Sequence, residues 1–153
     1  DSHDHFGGDP GVNGTFIRIG EAADVALYTD QALLSAFRGR ETIASRGVFL
    51  ELSLRPGSTV SPGATLSAAA LAPSWVIVDE LELVRDGVVV QTVPGTIAEF
   101  ELVADADAAF VVVARGSSPM EPVSSDTPWA MSSPILVDVA GDGWTAPLPQ
   151  LAY

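Results

Sequence analysis

Glu80-Leu81-Glu82-Leu83-Val84-Arg85-Asp86-Gly87-Val88-Val89-Val90-Gln91-Thr92-Val93 decides the fold. Polar and apolar residues alternate from Glu80 to Arg85, the period of a strand with one face in a core. Asp86-Gly87 follows, and a second β-prone run begins at once. A two-residue type I′ turn needs positive φ at both central positions, which Asp-Gly tolerates, so the stretch predicts a β-hairpin.

The same punctuation continues outward on both sides. Downstream, Pro94-Gly95 breaks the run, and residues 97–103 alternate again. Residues 109–114 form a continuous apolar segment, the mark of a strand buried on both faces. Residues 115–133 are rich in Ser and Pro and read as loop. A last strand is expected at 134–139, then a turn at Gly141-Asp142-Gly143. Upstream, residues 48–54 place Leu50, Leu52 and Leu54 on one side, and Pro56-Gly57 ends them. Residues 64–72 form a small-residue strand between Pro62-Gly63 and Pro73. Ahead of these, Thr29 or Asp30 can cap a helix over 30–38, with Leu33, Leu34 and Phe37 on one face and Gly39 as its stop. A short strand is expected at 15–19, after a loop at 1–14. The expected fold is therefore mainly β: an antiparallel β-sandwich of about seven strands, preceded by a loop and one short helix. The boundary falls near residue 40, which separates 1–40 from a sandwich over 41–153.

Composition narrows the function classes. The 153 residues carry 20 Asp and Glu against seven Arg and no Lys, for a net charge of −13. Nucleic-acid binding needs a basic face that displaces counterions, and this chain has too few cations for a large one. No apolar run approaches the roughly 20 residues of a membrane span. Cys is absent, which excludes disulfides, thiolate metal sites and a Cys nucleophile. Arg18, Arg38, Arg40 and Arg46 cluster early, whereas residues from Pro56 onward hold twelve acids against Arg85 and Arg115. The bland account is solubility; the sharper one is that the early arginines face an anionic substrate. The acidic, Lys-free composition fits extracytoplasmic export. An Asp in first place, without a basic and apolar leader, is read as a start inside a longer reading frame.

Both histidines lie in Asp1-Ser2-His3-Asp4-His5-Phe6-Gly7-Gly8-Asp9. Imidazole and carboxylate are the usual ligands of Zn²⁺, Mn²⁺ and Fe²⁺, and a catalytic site needs about three of them from the protein. Two side chains at i and i+2 reach one ion only from extended backbone. Ser2 has no oriented base, so a nucleophilic role is not expected. Asp138 to Gly143 is similar to a calcium loop, but Ala140 stands at a ligand position, and a turn is expected instead. Trp75, Trp129 and Trp144 are expected in core or edge packing. The pairs Asp79/Glu80 and Asp105/Asp107 are expected as solvated turns.

Four stretches together resemble a known family. They are Asp1-Ser2-His3; Leu34 to Arg40 running into Thr42 to Phe49; the Leu83 to Val90 hairpin; and Ser133 to Gly143. In this order and spacing they resemble the C-terminal end of PHP (polymerase and histidinol phosphatase) superfamily metallohydrolases, in the carbaryl-hydrolase-like branch. The chain departs from that pattern at Val48, Ser133, Leu136 and Ala140. The resemblance implies that residues 1–40 end a PHP-like catalytic domain and that 41–153 is its C-terminal sandwich. It implies Asp1 and His3 as the last ligands of a divalent metal (Zn, Mn or Fe) and Arg18 and Arg40 facing a phosphate, ester or carbamate group. The implied partner is an N-terminal catalytic barrel, without which this chain is expected to be inactive. The other reading, of a different class, is a stand-alone acidic sandwich that binds carbohydrate or a protein partner through an exposed aromatic patch such as Trp75 with Trp129.

Overall fold

A computed structural model describes residues 13–20 and 28–147. The elements are β1 (Asn13–Ile17), α1 (Asp30–Arg38), β2 (Thr42–Arg46), β3 (Phe49–Leu52), β4 (Thr59–Val60), β5 (Ala64–Leu71), β6 (Glu80–Arg85), β7 (Val88–Pro94), β8 (Ile97–Leu102), β9 (Ala108–Arg115), β10 (Trp129–Ser132) and β11 (Ile135–Val137). They build a mainly β fold of two sheets with one short helix. The larger sheet runs β1-β2-β10-β9-β11-β4, with β6 and then β7 on the other edge of β9. The smaller is β3-β5-β8. All described ladders are antiparallel except β4 against β11.

The hairpin forms as its sequence requires. Asp86 and Gly87 take φ of 49° and 84°, both positive. Asp86 also exchanges bonds with the first residues of β9: its N–H donates to the Ala109 carbonyl at 3.0 Å, and its Oδ1 accepts the Ala109 N–H at 2.9 Å. The hairpin tip is thus pinned to the strand beside it. Alternation decides burial in β6 and β8, where Leu81, Leu83, Ala98, Phe100 and Leu102 are buried. β7 differs, since Val88, Val89 and Val90 are all exposed on a strand that pairs with β6 alone.

β9 is the spine of the larger sheet. β6 pairs along one of its edges, while β10 and β11 share the other. Between Met131↔Val113 and Ile135↔Phe110 the outer chain advances four residues and β9 only three. The extra residue falls at Ser132-Ser133-Pro134, where proline cannot donate to a ladder. Val112 faces that break, and its N–H donates instead to the Ser132 side-chain oxygen at 3.1 Å, within the core. The core itself lies between the sheets, around Phe100, Phe110, Leu66, Leu81 and Ile135. Each such side chain contributes about 1.5–3 kcal/mol by leaving water.

The helix forms over the expected residues, with Thr29 as N-cap accepting the Ala32 N–H at 3.2 Å and Gly39 following the last turn. Its expected apolar face is not the buried one. Ala36 is its buried residue, while Leu34 and Phe37 are exposed. Three strands fall where none was expected. β2 and β4 lie in stretches read as connections, and β10 lies inside the 115–133 segment read as loop.

Removing the Ser132 hydroxyl tests the splice in the outer strand. Ser132→Ala leaves the buried Val112 N–H without its acceptor and is expected to cost about 1–3 kcal/mol. Equilibrium urea unfolding reads the loss as a lower midpoint at an unchanged slope.

Candidate functional site

Asp1 and His3, the expected metal ligands, lie outside the described residues, together with Ser2, Asp4, His5 and Asp9. Among the described residues, no group of three His, Asp or Glu side chains is arranged to hold a metal ion.

The two expected substrate arginines come to the same end of the larger sheet. β1 pairs with β2 from Asn13↔Arg46 to Ile17↔Thr42, and the Arg18 N–H continues that ladder to the Glu41 carbonyl at 3.0 Å. Arg18 therefore sits across from the residue next to Arg40. Arg40 takes a positive φ of 58° in the tight turn out of α1, and its carbonyl accepts the Thr42 N–H at 2.8 Å. Gly57 closes against the same turn. Its φ is +84°, and a β-carbon there would stand 1.8 Å from the Gly39 carbonyl oxygen. Both arginine side chains are exposed.

Two hollows open where the β1 edge of one sheet approaches β3, the edge of the other. The first, of about 390 Å³, is lined by Phe16, Ile17, Arg18, Glu41, Phe49 and Glu51 among others. The second, of about 460 Å³, lies over Gly14 and is walled by Phe49, Leu71, Trp75 and Val123. Phe16 and Phe49 form the ridge between them, edge to face, with ring centroids 4.9 Å apart at 80°. They remain 47% and 38% exposed, so the pair forms an apolar surface patch. Trp75 is 46% exposed beside them. Nothing in the sequence marks this feature. Phe16 and Phe49 lie 33 residues apart, and Phe49 falls on the side of its strand opposite Leu50, Leu52 and Leu54.

The remaining candidates resolve into structural roles. Asp138 does form a turn: its Oδ1 accepts the Gly141 N–H at 2.7 Å and its Oδ2 the Gly143 N–H at 2.9 Å. Both oxygens of the supposed calcium ligand are thus engaged by backbone. Asp107 does the same, accepting the Thr145 N–H at 2.7 Å and the Val139 N–H at 3.0 Å. These two bonds hold its carboxyl below the ordinary aspartate range, Thr145 contributing most. Ser117 lowers Asp79 in the same way, through its hydroxyl and its N–H. The Arg85 guanidinium, 2.9 Å from Asp105, lowers that carboxyl. Of the tryptophans, Trp129 is half-buried in β10, and half-buried Trp144 donates its indole N–H to the Ala108 carbonyl at 3.2 Å. Comparison with family models, curated proteins and solved structures finds no match to this chain.

The aspartate clamps make a prediction about acid. A folded-state value below the ordinary one stabilises the fold above the ordinary range, near pH 4, and that contribution disappears as pH falls through the lowered value. Asp107→Asn is therefore expected to melt below the parent chain at pH 7, with the gap closing as pH falls through the lowered value. Thermal melts followed by circular dichroism across that range check it.

Proposed function

We propose that this chain is the closing part of a metal-dependent hydrolase of the phosphoester, ester or carbamate class, and that its sandwich is an accessory domain without activity of its own. The observation that carries the reading is a contact between two of the four family-like stretches. Thr42 opens the second half of the second stretch, and Ser133, one of the positions that depart from the family pattern, opens the fourth, 91 residues later. Their hydroxyls lie 2.7 Å apart, and the Ser133 N–H donates to the Thr42 carbonyl at 2.9 Å. The Leu83–Val90 hairpin, the third stretch, borders the same sheet through β9. Parts of the second, third and fourth stretches thus lie in the larger sheet.

In this reading Asp1 and His3 complete a metal site whose other ligands come from the preceding barrel. A bound divalent ion supplies a polarised scissile group and a water acidified to a pKa of about 7. Arg18, at the end of the β1–β2 ladder, and Arg40, in the turn beside it, offer guanidinium groups to an anionic substrate from the rim. Two ligands fall short of the three that a catalytic ion requires.

Calorimetric titration of the chain with zinc and manganese is expected to show nothing tighter than about micromolar, and p-nitrophenyl esters are expected to stay intact. Tight binding together with hydrolysis would overturn the reading. So would a reading frame without a His-x-His-bearing barrel ahead of Asp1.

A second reading is favoured by the Phe16–Phe49–Trp75 surface: a stand-alone module that binds a protein partner. Carbohydrate suits this surface poorly. Ser45 is the polar side chain on the wall of the hollow beside Trp75, and its hydroxyl is held between the Val48 carbonyl and the Val48 N–H.

A further inference from the structure

We infer that the edge of β1 left open among the described strands accepts an extended segment of a partner protein as an added strand. The segment carries an apolar residue, a small residue and a Lys or Arg at alternate positions, read from the Gly14 end. This inference does not rest on the hydrolase reading; it rests on the β1 edge and on the two hollows beside it.

The register fixes which backbone groups are offered. In antiparallel pairing, successive residues turn their N–H and C=O groups to opposite sides. Arg18 bonds inward, to Glu41, one rung beyond Ile17↔Thr42. Phe16 and Gly14 therefore bond inward as well, and Asn13, Thr15 and Ile17 turn theirs to the open side. Among the described strands, β1 pairs with β2 alone. Main-chain bonds to such an edge supply affinity, and pockets for alternate side chains supply specificity.

The pockets match that period. Gly14, Phe16 and Arg18 share one face of β1. The larger hollow lies over Gly14, the Phe16 ring forms the ridge, and the smaller hollow lies at Arg18. An added strand would set three same-face side chains against these three positions. The first enters the apolar hollow beside Trp75, the second must be small to clear the ridge, and the third enters the hollow at Arg18.

Charge selects the third residue. The larger hollow, over Gly14, has no ionised side chain on its wall, whereas the smaller has Glu41 and Glu51 against Arg18. Two carboxylates against one guanidinium, in a chain of net charge −13, favour a cation. A long basic side chain can lay its methylene stem along Phe16 and Phe49 and bring its head to the carboxylates.

The test uses two peptides, acetyl-Thr-Leu-Thr-Ala-Thr-Lys-Thr-amide for a strand parallel to β1 and acetyl-Thr-Lys-Thr-Ala-Thr-Leu-Thr-amide for an antiparallel one, each titrated into the chain by calorimetry. Binding of one of them is expected, and two variants are each expected to weaken it by about tenfold or more. Thr15→Pro removes an outward N–H and spares the β2 ladder, since proline is tolerated on an edge. Gly14→Phe fills the larger hollow, and a β-carbon at Gly14 meets nothing within 4 Å. Glu in place of the peptide's Lys is expected to weaken binding, and added salt to weaken only the Lys peptide. No binding of either peptide at about 1 mM, a limit of weak association, overturns the inference, as does unchanged affinity in Thr15→Pro. If Gly14→Phe lowers the melting temperature without peptide, the hollow is filled from within the chain and the inference fails. If light scattering shows a dimer that Thr15→Pro dissociates, the occupant is a second copy and the partner-segment assignment is overturned.

Discussion

The hydrogen bond from the Val112 N–H to the Ser132 hydroxyl holds the larger sheet together at its weakest place. β9 needs partners along its whole length because it is buried on both faces, and an unpaired N–H there would cost about 1–3 kcal/mol. The chain that covers its outer edge cannot stay straight past Pro134. The side chain of Ser132 therefore supplies an acceptor where the backbone cannot. This splice lets β10 and β11 diverge, β10 toward β2 and β1, and β11 toward the short β4. The position of β1, and so the meeting of Phe16 with Phe49, follows from that divergence.

The acidic composition has a second use beside solubility. Asp79, Asp107 and Asp138 each accept at least one loop N–H, and Asp86 accepts that of Ala109 near the start of β9. Aspartate is suited to this because its short side chain reaches nearby backbone donors at small entropic cost. The clamps fasten the loops between 105 and 145, where Gly, Ser and Pro leave few apolar contacts. The exposed ion pairs, such as Arg85 with Asp105, add little by comparison, since water screens them. Much of the negative charge that discourages a nucleic-acid partner is thus part of how the loops are held.

The hairpin was legible because alternation and Asp-Gly agree over fourteen residues. β8 and β9 were legible for similar reasons of pattern. β10 was not, because its apolar signal is inverted. Trp129 and Met131 are the large residues, yet small Ala130 and Ser132 are the ones fully buried. β2 hid in the same way, with Ser45 occupying a core position beside Ile43. The helix showed the converse. Leu33, Leu34 and Phe37 mark a convincing stripe, but Ala36 is what the fold buries. Local pattern reports a buried face only where large apolar residues make the contact, and here small residues make several of them. The candidate site was less legible still. Its metal ligands rest on resemblance alone, and its hollows arise from two edges distant in sequence.

The two long free edges of the larger sheet differ in a way that bears on function. β7 exposes three valines, an invitation to unwanted pairing, but its ladder with β6 slips at Leu83/Val84. Such a bulge increases local twist and turns an edge away from a flat partner. β1 pairs with β2 in unbroken register over all five residues and carries no charge from Asn13 to Ile17. It has neither the bulge nor the charged side chain that natural sheets use to blunt an edge. It is also the edge with hollows beside it. Among the described strands, β1 is thus the less protected of the two long edges, because nothing in its pairing or side chains turns a further strand away.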